Sequence, residues 1–192
     1  MKLKTLVKKS RSYRRFDEDY LISGEVLRDL ITLAQFSPSG QNLQPLKFWL
    51  SNSKTTNSLI FPHLRWAGAL KNWSGPTVGE RPSAYVLILG DTTIKENFGV
   101  DHGIAAQSIL LGAAEQGLGG CMIGSVKRDQ LAEALAIPER YQILLVIALG
   151  KPAEKVMLEF VSEDGDITYY RDEHDIHHVP KRRLETLIVR DV

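Results

Sequence analysis

Three features of the 192-residue sequence predict an α+β domain in which a mixed sheet is flanked by helices. Apolar runs of strand length, above all Ala84–Leu89 and Gln142–Leu149, are closed by Gly- and Pro-containing turns. Segments with helical apolar spacing stand between them, and the longest, Gly103–Gln116, lies mid-chain. Strands and helices do not alternate strictly, which disfavours a doubly wound parallel sheet. The length suits one sizeable core and is short for two, so residues 1–192 are read as a single domain.

The elements follow in order. Leu3–Lys9 is a candidate short helix. Ser23 is a suitable N-cap, with Glu25 near the positive end of the helix dipole. Val26, Leu27, Leu30, Ile31, Leu33 and Ala34 then form an apolar helical face, ended by Ser37-Pro38-Ser39-Gly40. Leu46–Ser51 reads as a strand, and Ser58–Trp73 is expected to hold a short helix. Ala84–Leu89 is a buried strand closed by Gly90-Asp91. Gly103–Gln116 carries Ala, Leu and Ile on nearly every face, so it is expected to be buried on all sides, at the centre or across a subunit interface. Gly117-Leu118-Gly119-Gly120 ends it, and Cys121–Ile123 is a short strand. Asp129–Ala136 is another helix, followed by Pro138. Gln142–Leu149 is a second buried strand, closed by Gly150-Lys151-Pro152. The stretch Lys181–Val189 reads as a helix or an extended arm.

Composition bounds the function. A net charge of +1 gives no bulk attraction to nucleic acid or to an anionic membrane. A single cysteine, Cys121, excludes an intrachain disulfide and fits a reducing compartment. The N-terminal residues lack the apolar run of a signal peptide, and no stretch reaches the ~18–20 apolar residues needed to span a bilayer. A soluble cytoplasmic protein is therefore expected. His174-Asp175-Ile176-His177-His178 offers ligand types without a nearby cysteine or second ligand group, so no metal is expected. Cys121 sits in an apolar run without an evident base and reads as a small buried residue rather than a nucleophile.

Four segments carry candidate chemistry. In Arg11-Ser12-Tyr13-Arg14-Arg15-Phe16, Arg11, Ser12 and Arg14 can converge on one anion, because guanidinium groups grip phosphate through paired donors. A solvated basic stretch balanced by Asp17, Glu18 and Asp19 is the plainer alternative. Pro38-Ser39-Gly40-Gln41-Asn42-Leu43-Gln44-Pro45 offers amides and hydroxyls suited to the edge of a heteroaromatic ring, or is a simple connection. Gly117–Ser125 superficially resembles a dinucleotide fingerprint. Its glycines follow a helix and precede a strand, the reverse of that motif, and Met122 stands at the third glycine position. These glycines either let backbone approach a flat ligand or cap a helix. Pro180-Lys181-Arg182-Arg183-Leu184 can reach back to the same phosphate, or is a charged tail.

In order and spacing these segments resemble the FMN-dependent nitroreductase family. Arg11-Ser12-x-Arg14-x-Phe16 resembles its N-terminal phosphate motif, and Pro38-Ser39-x-x-Asn42-x-Gln44-Pro45 its flavin-edge loop. Gly117-Leu118-Gly119 through Met122-Ile123-Gly124 is similar to the segment that gives backbone contacts to the ring. Ile137-Pro138-Glu139 and Leu149-Gly150-x-Pro152 match the next landmark, and Lys181-Arg182 the C-terminal phosphate contacts, with Arg183 competing for the register. The family often has Trp where this chain has Leu46, and Ile60–Pro82 matches no motif.

The resemblance implies a three-layer α+β fold with a central mixed, mostly antiparallel sheet, in an intertwined homodimer with two FMN sites. Arg11, Ser12, Arg14 and the C-terminal basic group would come from one chain, and Pro38, Ser39, Asn42 from the other, with Gln44, Met122, Ile123 and Gly124 also at the cofactor. It implies NADH or NADPH as co-substrate, ping-pong reduction of nitroaromatics, quinones or related acceptors, and no catalytic side-chain acid or base, with Arg14 as the charge that tunes the flavin. A non-turnover FMN-binding or sensing protein, and a flavin-fragmenting or dehalogenating relative, are the alternatives.

Overall fold

The computed structural model describes residues 2–190. In chain order the main elements are α1 (Leu3–Lys9), β1 (Phe16–Asp17), α2 (Gly24–Gln35), β2 (Leu46–Ser51), α3 (Lys54–Ile60), β3 (Ala84–Asp91), α4 (Asp101–Glu115), β4 (Gly119–Ile123), α5 (Arg128–Ala134), β5 (Tyr141–Pro152), β6 (Val156–Val161), β7 (Tyr170–Arg171) and β8 (His177–Arg182). A 3₁₀ turn spans Gly40–Asn42, and others follow α3 and β8.

β3 is the axis of the sheet and is buried along its whole length. It pairs antiparallel with β2 on one side and β5 on the other. β4 and β1 both pair antiparallel with β5, β1 only at Lys151 and Pro152. The alternation of a strand sends Ala84, Val86 and Ile88 toward α2 and α4, and Tyr85, Leu87 and Leu89 toward α3 and α5. The chain is thus three layers deep. A bulge sits where the register moves from Ile88↔Leu145 to Leu89↔Ile143, leaving Leu144 extra. It switches the faces of β5, so Ile143 and Leu145, two residues apart, enter opposite cores. Arg128 braces the bulge, with Nε donating to the Ile143 carbonyl at 2.9 Å.

α2 forms where the apolar spacing predicts it, and the Ser23 hydroxyl accepts the Val26 N–H as its cap. Leu27 and Leu30 are fully buried against α4, each stabilising the fold by roughly 1.5–3 kcal/mol. Within one chain α4 meets the expectation of all-round burial only in part. Ala105, Ala106, Ile109, Leu110 and Ala113 are buried, but Gly103, Ile104 and Gln107 face outward, so the helix is not enclosed on all sides within one chain.

Other differences have local causes. The helix expected within Ser58–Trp73 lies earlier, capped by Ser53, and buries only Ile60. Beyond it, Trp66 packs over Gly75 and the Arg171 guanidinium lies 4.5 Å from the Trp73 ring, so this segment is stitched to the C-terminal region. The expected arm at Lys181–Val189 begins inside β8, and its residues beyond Arg182 are exposed. β6, β7 and β8 form a second sheet in which β6 and β8 are parallel. The parallel pairing therefore lies outside the central sheet, whose strands are all antiparallel neighbours. Among the described residues no helix is long and apolar enough to cross a membrane.

Candidate functional site

The basic segment Arg11–Arg15 runs beside the central sheet because β4 leaves an edge for it. Ser12 forms a parallel bridge with Gly120, and the Tyr13 N–H donates to the Gly120 carbonyl at 3.0 Å. Phe16 then pairs with Pro152 at the end of β5. This route explains two glycines. A Cβ on Gly119 would stand 2.5 Å from the Tyr13 ring, and one on Gly120 would stand 2.6 Å from the Ala148 carbonyl oxygen. These positions are Gly so that protein can pack there, which corrects the expectation that they admit a flat ligand. Gly124 has nothing within 4 Å of the same construction and is the open position.

Arg11, Ser12, Arg14, Met122 and Lys181 line one pocket of about 400 Å³, with Tyr169, His177 and Val179 from the C-terminal region. Three cationic side chains share this wall, and among the described residues no carboxylate lines it. One Arg11 nitrogen, Nη2, donates to the Val7 carbonyl at 2.8 Å, while its Nε is buried without a partner. An unpaired buried donor beside two more cations fits an anion such as the terminal phosphate of FMN. Arg14 is held by one nitrogen, Nη1, which lies 3.1 Å from both the Ser12 carbonyl and His177 Nε2. Its guanidinium is 4.9 Å from the Tyr169 ring centroid.

Glu154 fixes the backbone behind this wall. One of its carboxylate oxygens accepts the Arg14 and Arg15 N–H groups, and the other pairs with Arg171 at 2.7 Å. His177 is fully buried, and burial, followed by the Arg14 charge, pushes its pKa down to about 4. Cys121 is buried too, which pushes its thiol up.

The loop Pro38–Gln44 lies elsewhere. Pro38, Ser39 and Gln44 line a second pocket of about 360 Å³, with Phe48, Asp101 and Ala105. The two pockets share no lining residue. Asp101, at the start of α4, organises the loop: it accepts the Ser39 hydroxyl at 2.7 Å and the Gly40 N–H at 3.1 Å. Burial pushes the Asp101 carboxyl up, but these hydrogen bonds, aided by Lys95 and His102, win and hold it below its ordinary value. The Ser39 oxygen also accepts the Gln44 N–H at 3.0 Å, so this hydroxyl shapes the loop rather than standing free for a ring edge. Gln41, Asn42 and Gln44 have φ of 55°, 56° and 51°. Two of the three are glutamines, so the backbone here is held in a conformation that costs of order 1 kcal/mol or more per residue.

The remaining expected residues divide. Asn42 is exposed on the same turn and does not line the loop pocket. Ile123 is buried in the core on the α5 side. Along β8, Lys181 reaches the Arg11 pocket, whereas Arg182 donates to the Glu163 carbonyl at 2.6 Å. Arg183 opens the following 3₁₀ turn and is exposed. The contested register thus favours Lys181 over both arginines. Sequence reasoning missed Asp101, Glu154, Tyr169 and His177. Asp101 stands at the start of a helix, where an acidic residue is ordinary, and Glu154 and Tyr169 lie beyond the last buried strand, where no local pattern marks them; His177 belongs to the His-rich run that is weighed only for metal binding.

Comparison with known proteins agrees with this architecture. The sequence profile described as the Nitroreductase family matches residues 7–151. A Bacillus subtilis (strain 168) protein provisionally named as an NAD(P)H nitroreductase is 24% identical over 185 residues, covering 76% of this chain and 87% of the relative. An Archaeoglobus fulgidus protein, provisionally named NADH dehydrogenase/NAD(P)H nitroreductase, is 26% identical over 153 residues, covering 76% and 82%. Among solved structures, a provisional nitroreductase from Desulfovibrio desulfuricans in complex with FMN superposes with a TM-score of 0.70 at 24% identity, covering 98% of this chain and 95% of that one. On the profile match to most of its length, with the fold in agreement, the chain belongs to the nitroreductase family.

Proposed function

We propose that this chain is an FMN-dependent oxidoreductase, a single domain that works as a homodimer. It uses NADH or NADPH to reduce nitroaromatics, quinones or related acceptors in a ping-pong sequence. The observation that carries the reading is the convergence of Arg11, Arg14 and Lys181 on one pocket that no acid lines among the described residues. The names of the relatives and the FMN complex of the Desulfovibrio protein support it.

FMN, when bound, would supply two-electron transfer between a nicotinamide donor and a second acceptor. The chain's own residues bind and orient it. Arg11, Ser12 and Lys181 hold the phosphate through charge-assisted hydrogen bonds. Arg14 presents a fixed positive charge that favours the reduced, more anionic state. Met122 and the open backbone at Gly124 approach the ring.

Two observations support a shared site. The loop expected at the ring edge and the basic pocket are separate within one chain. Apolar side chains lie exposed at the start of α4 and the end of α2: Val100, Ile104 and Phe36. Soluble monomers rarely leave such groups grouped in water, and a two-fold dimer covers them while creating two equivalent sites. The test is spectroscopic. Purified protein is expected to be yellow, to release FMN on denaturation and to bleach when NADH or NADPH is added anaerobically. Protein that binds no added FMN, or that releases only FAD, contradicts the reading.

A further inference from the structure

A guanidinium group has five N–H donors and cannot accept a hydrogen bond. His177 Nε2 lies 3.1 Å from Arg14 Nη1, so this ring nitrogen must be the acceptor and the ring must be neutral, with its proton on Nδ1. His177 Nδ1 is buried without a partner. Leaving a donor unpaired is unfavourable, so the arrangement has a cost that the contact with Arg14 must offset. The other groups touching the Arg14 side chain are also uncharged: the Ser12 carbonyl and the Tyr169 ring. The Glu154 carboxylate takes the Arg14 backbone N–H and pairs its charge with Arg171 instead.

We propose that His177 is a positioning residue for the flavin: as a neutral acceptor it fixes the Arg14 guanidinium at the pocket wall without neutralising it, leaving the full charge for the bound cofactor. A carboxylate at this position would hold Arg14 more firmly and cancel the charge it offers. Protonated His177 would turn an N–H and a second positive charge toward Arg14. The groups that bear on this titration are Arg14 and Glu154 behind the pocket, Arg171 on β7, the neighbouring His178 and the Tyr169 ring. The inference rests on the FMN reading.

The test compares wild type, His177→Gln, His177→Leu and His177→Glu by FMN fluorescence quenching on apoprotein, with thermal melting of each apoprotein to confirm folding. Gln is a neutral acceptor that does not titrate, so its Kd is expected within about threefold of wild type at pH 7. Leu and Glu are expected to weaken binding by about tenfold or more. In an Arg14→Ala background, His177→Leu should add nothing further. Between pH 6 and pH 4 the wild-type Kd should rise relative to that of His177→Gln. This ratio removes the phosphate's own second ionisation near pH ~6. Folded His177→Leu that binds as wild type does, Gln as weak as Leu, a flat ratio, or a further loss in the Arg14→Ala background each overturns the proposal while leaving the flavin in place. Wild type that binds no FMN removes the FMN reading and this proposal with it.

Discussion

Replacing Arg11 by Ala separates the phosphate site from the fold that carries it. In the protein alone, Arg11 makes one hydrogen bond through Nη2, to the Val7 carbonyl in the last turn of α1. Loss of that bond costs the apoprotein about 1 kcal/mol, a fall of roughly 2–4 °C in Tm for a chain of this size. The guanidinium keeps further donors for the ligand, including the buried, unpaired Nε. A charge-assisted hydrogen bond contributes roughly 1.5–3 kcal/mol. Arg11→Ala is therefore expected to weaken FMN binding by about ten- to a hundred-fold. Arg182→Ala is the control. Its guanidinium is turned to the Glu163 carbonyl, so the Kd should stay within about twofold. Fluorescence titration of FMN into apoprotein at fixed low salt reads both values. A folded Arg11→Ala protein with wild-type affinity, or an Arg182→Ala protein equally impaired, refutes the assignment of this pocket to the phosphate.

Three further predictions follow from the same geometry. Gly120→Ala drives a Cβ against the Ala148 carbonyl and is expected to destabilise the apoprotein by about 1–3 kcal/mol in urea melts, whereas Gly124→Ala leaves apoprotein stability unchanged and weakens FMN binding. Asp101→Ala releases the Ser39 hydroxyl and the Gly40 N–H, so chymotryptic or elastase cleavage should increase within Pro38–Gln44 with little loss of phosphate-end affinity; unchanged cleavage would show that the loop holds its shape without Asp101. His178 lies between Asp172, 2.9 Å from its Nε2, and Glu159 at Nδ1, and these carboxylates raise its pKa above 6.5. Its contribution to stability is then complete below about pH 6.5 and lost as pH rises through the raised value. The urea midpoint of wild type should fall more from pH 6 to pH 9 than that of His178→Gln, and equal falls would remove the ion-pair account.

The sequence exposed the parts of the fold whose burial is periodic. Leu46–Ser51 is the strand predicted, and β3 and β5 extend their predicted apolar cores by two or three residues at an end. α2 begins after its predicted cap because Ser23 does what an isolated Ser before an apolar helix can do. α3 was displaced because Lys54, Thr55, Thr56 and Asn57 carry no apolar period, and the helix buries only Ile60. The small sheet was illegible for a different reason. β6 and β8 are half-buried strands paired across about twenty residues, and the two residues of β7 are too few to show alternation. At the site, cations were legible because charge is visible in any context. Their partners were not. Asp101 serves a loop about sixty residues earlier, and His177 reaches Arg14 across 163 positions, contacts that only the closed fold reveals.

The central claim is that one functional site draws its basic pocket from one protomer and its Pro38–Gln44 loop from the other, and subunit complementation tests it most directly. One subunit carries Arg11→Glu, which repels the phosphate. The other carries Pro38→Trp, which fills the loop pocket at a position free of the positive φ that would strain a Trp at Asn42. Each mutant homodimer is expected to be inactive, since both of its sites hold one defect. In a mixed dimer one site collects both defects and the other none. Random mixing makes half of the dimers mixed, so about a quarter of all sites should be intact. FMN-dependent NAD(P)H oxidation is measured after co-expression, with mixed dimers isolated through two tags. The account predicts recovery to about half of wild-type activity in isolated mixed dimers; mixed dimers that form and stay inactive would contradict it, placing both halves of the site in the same chain.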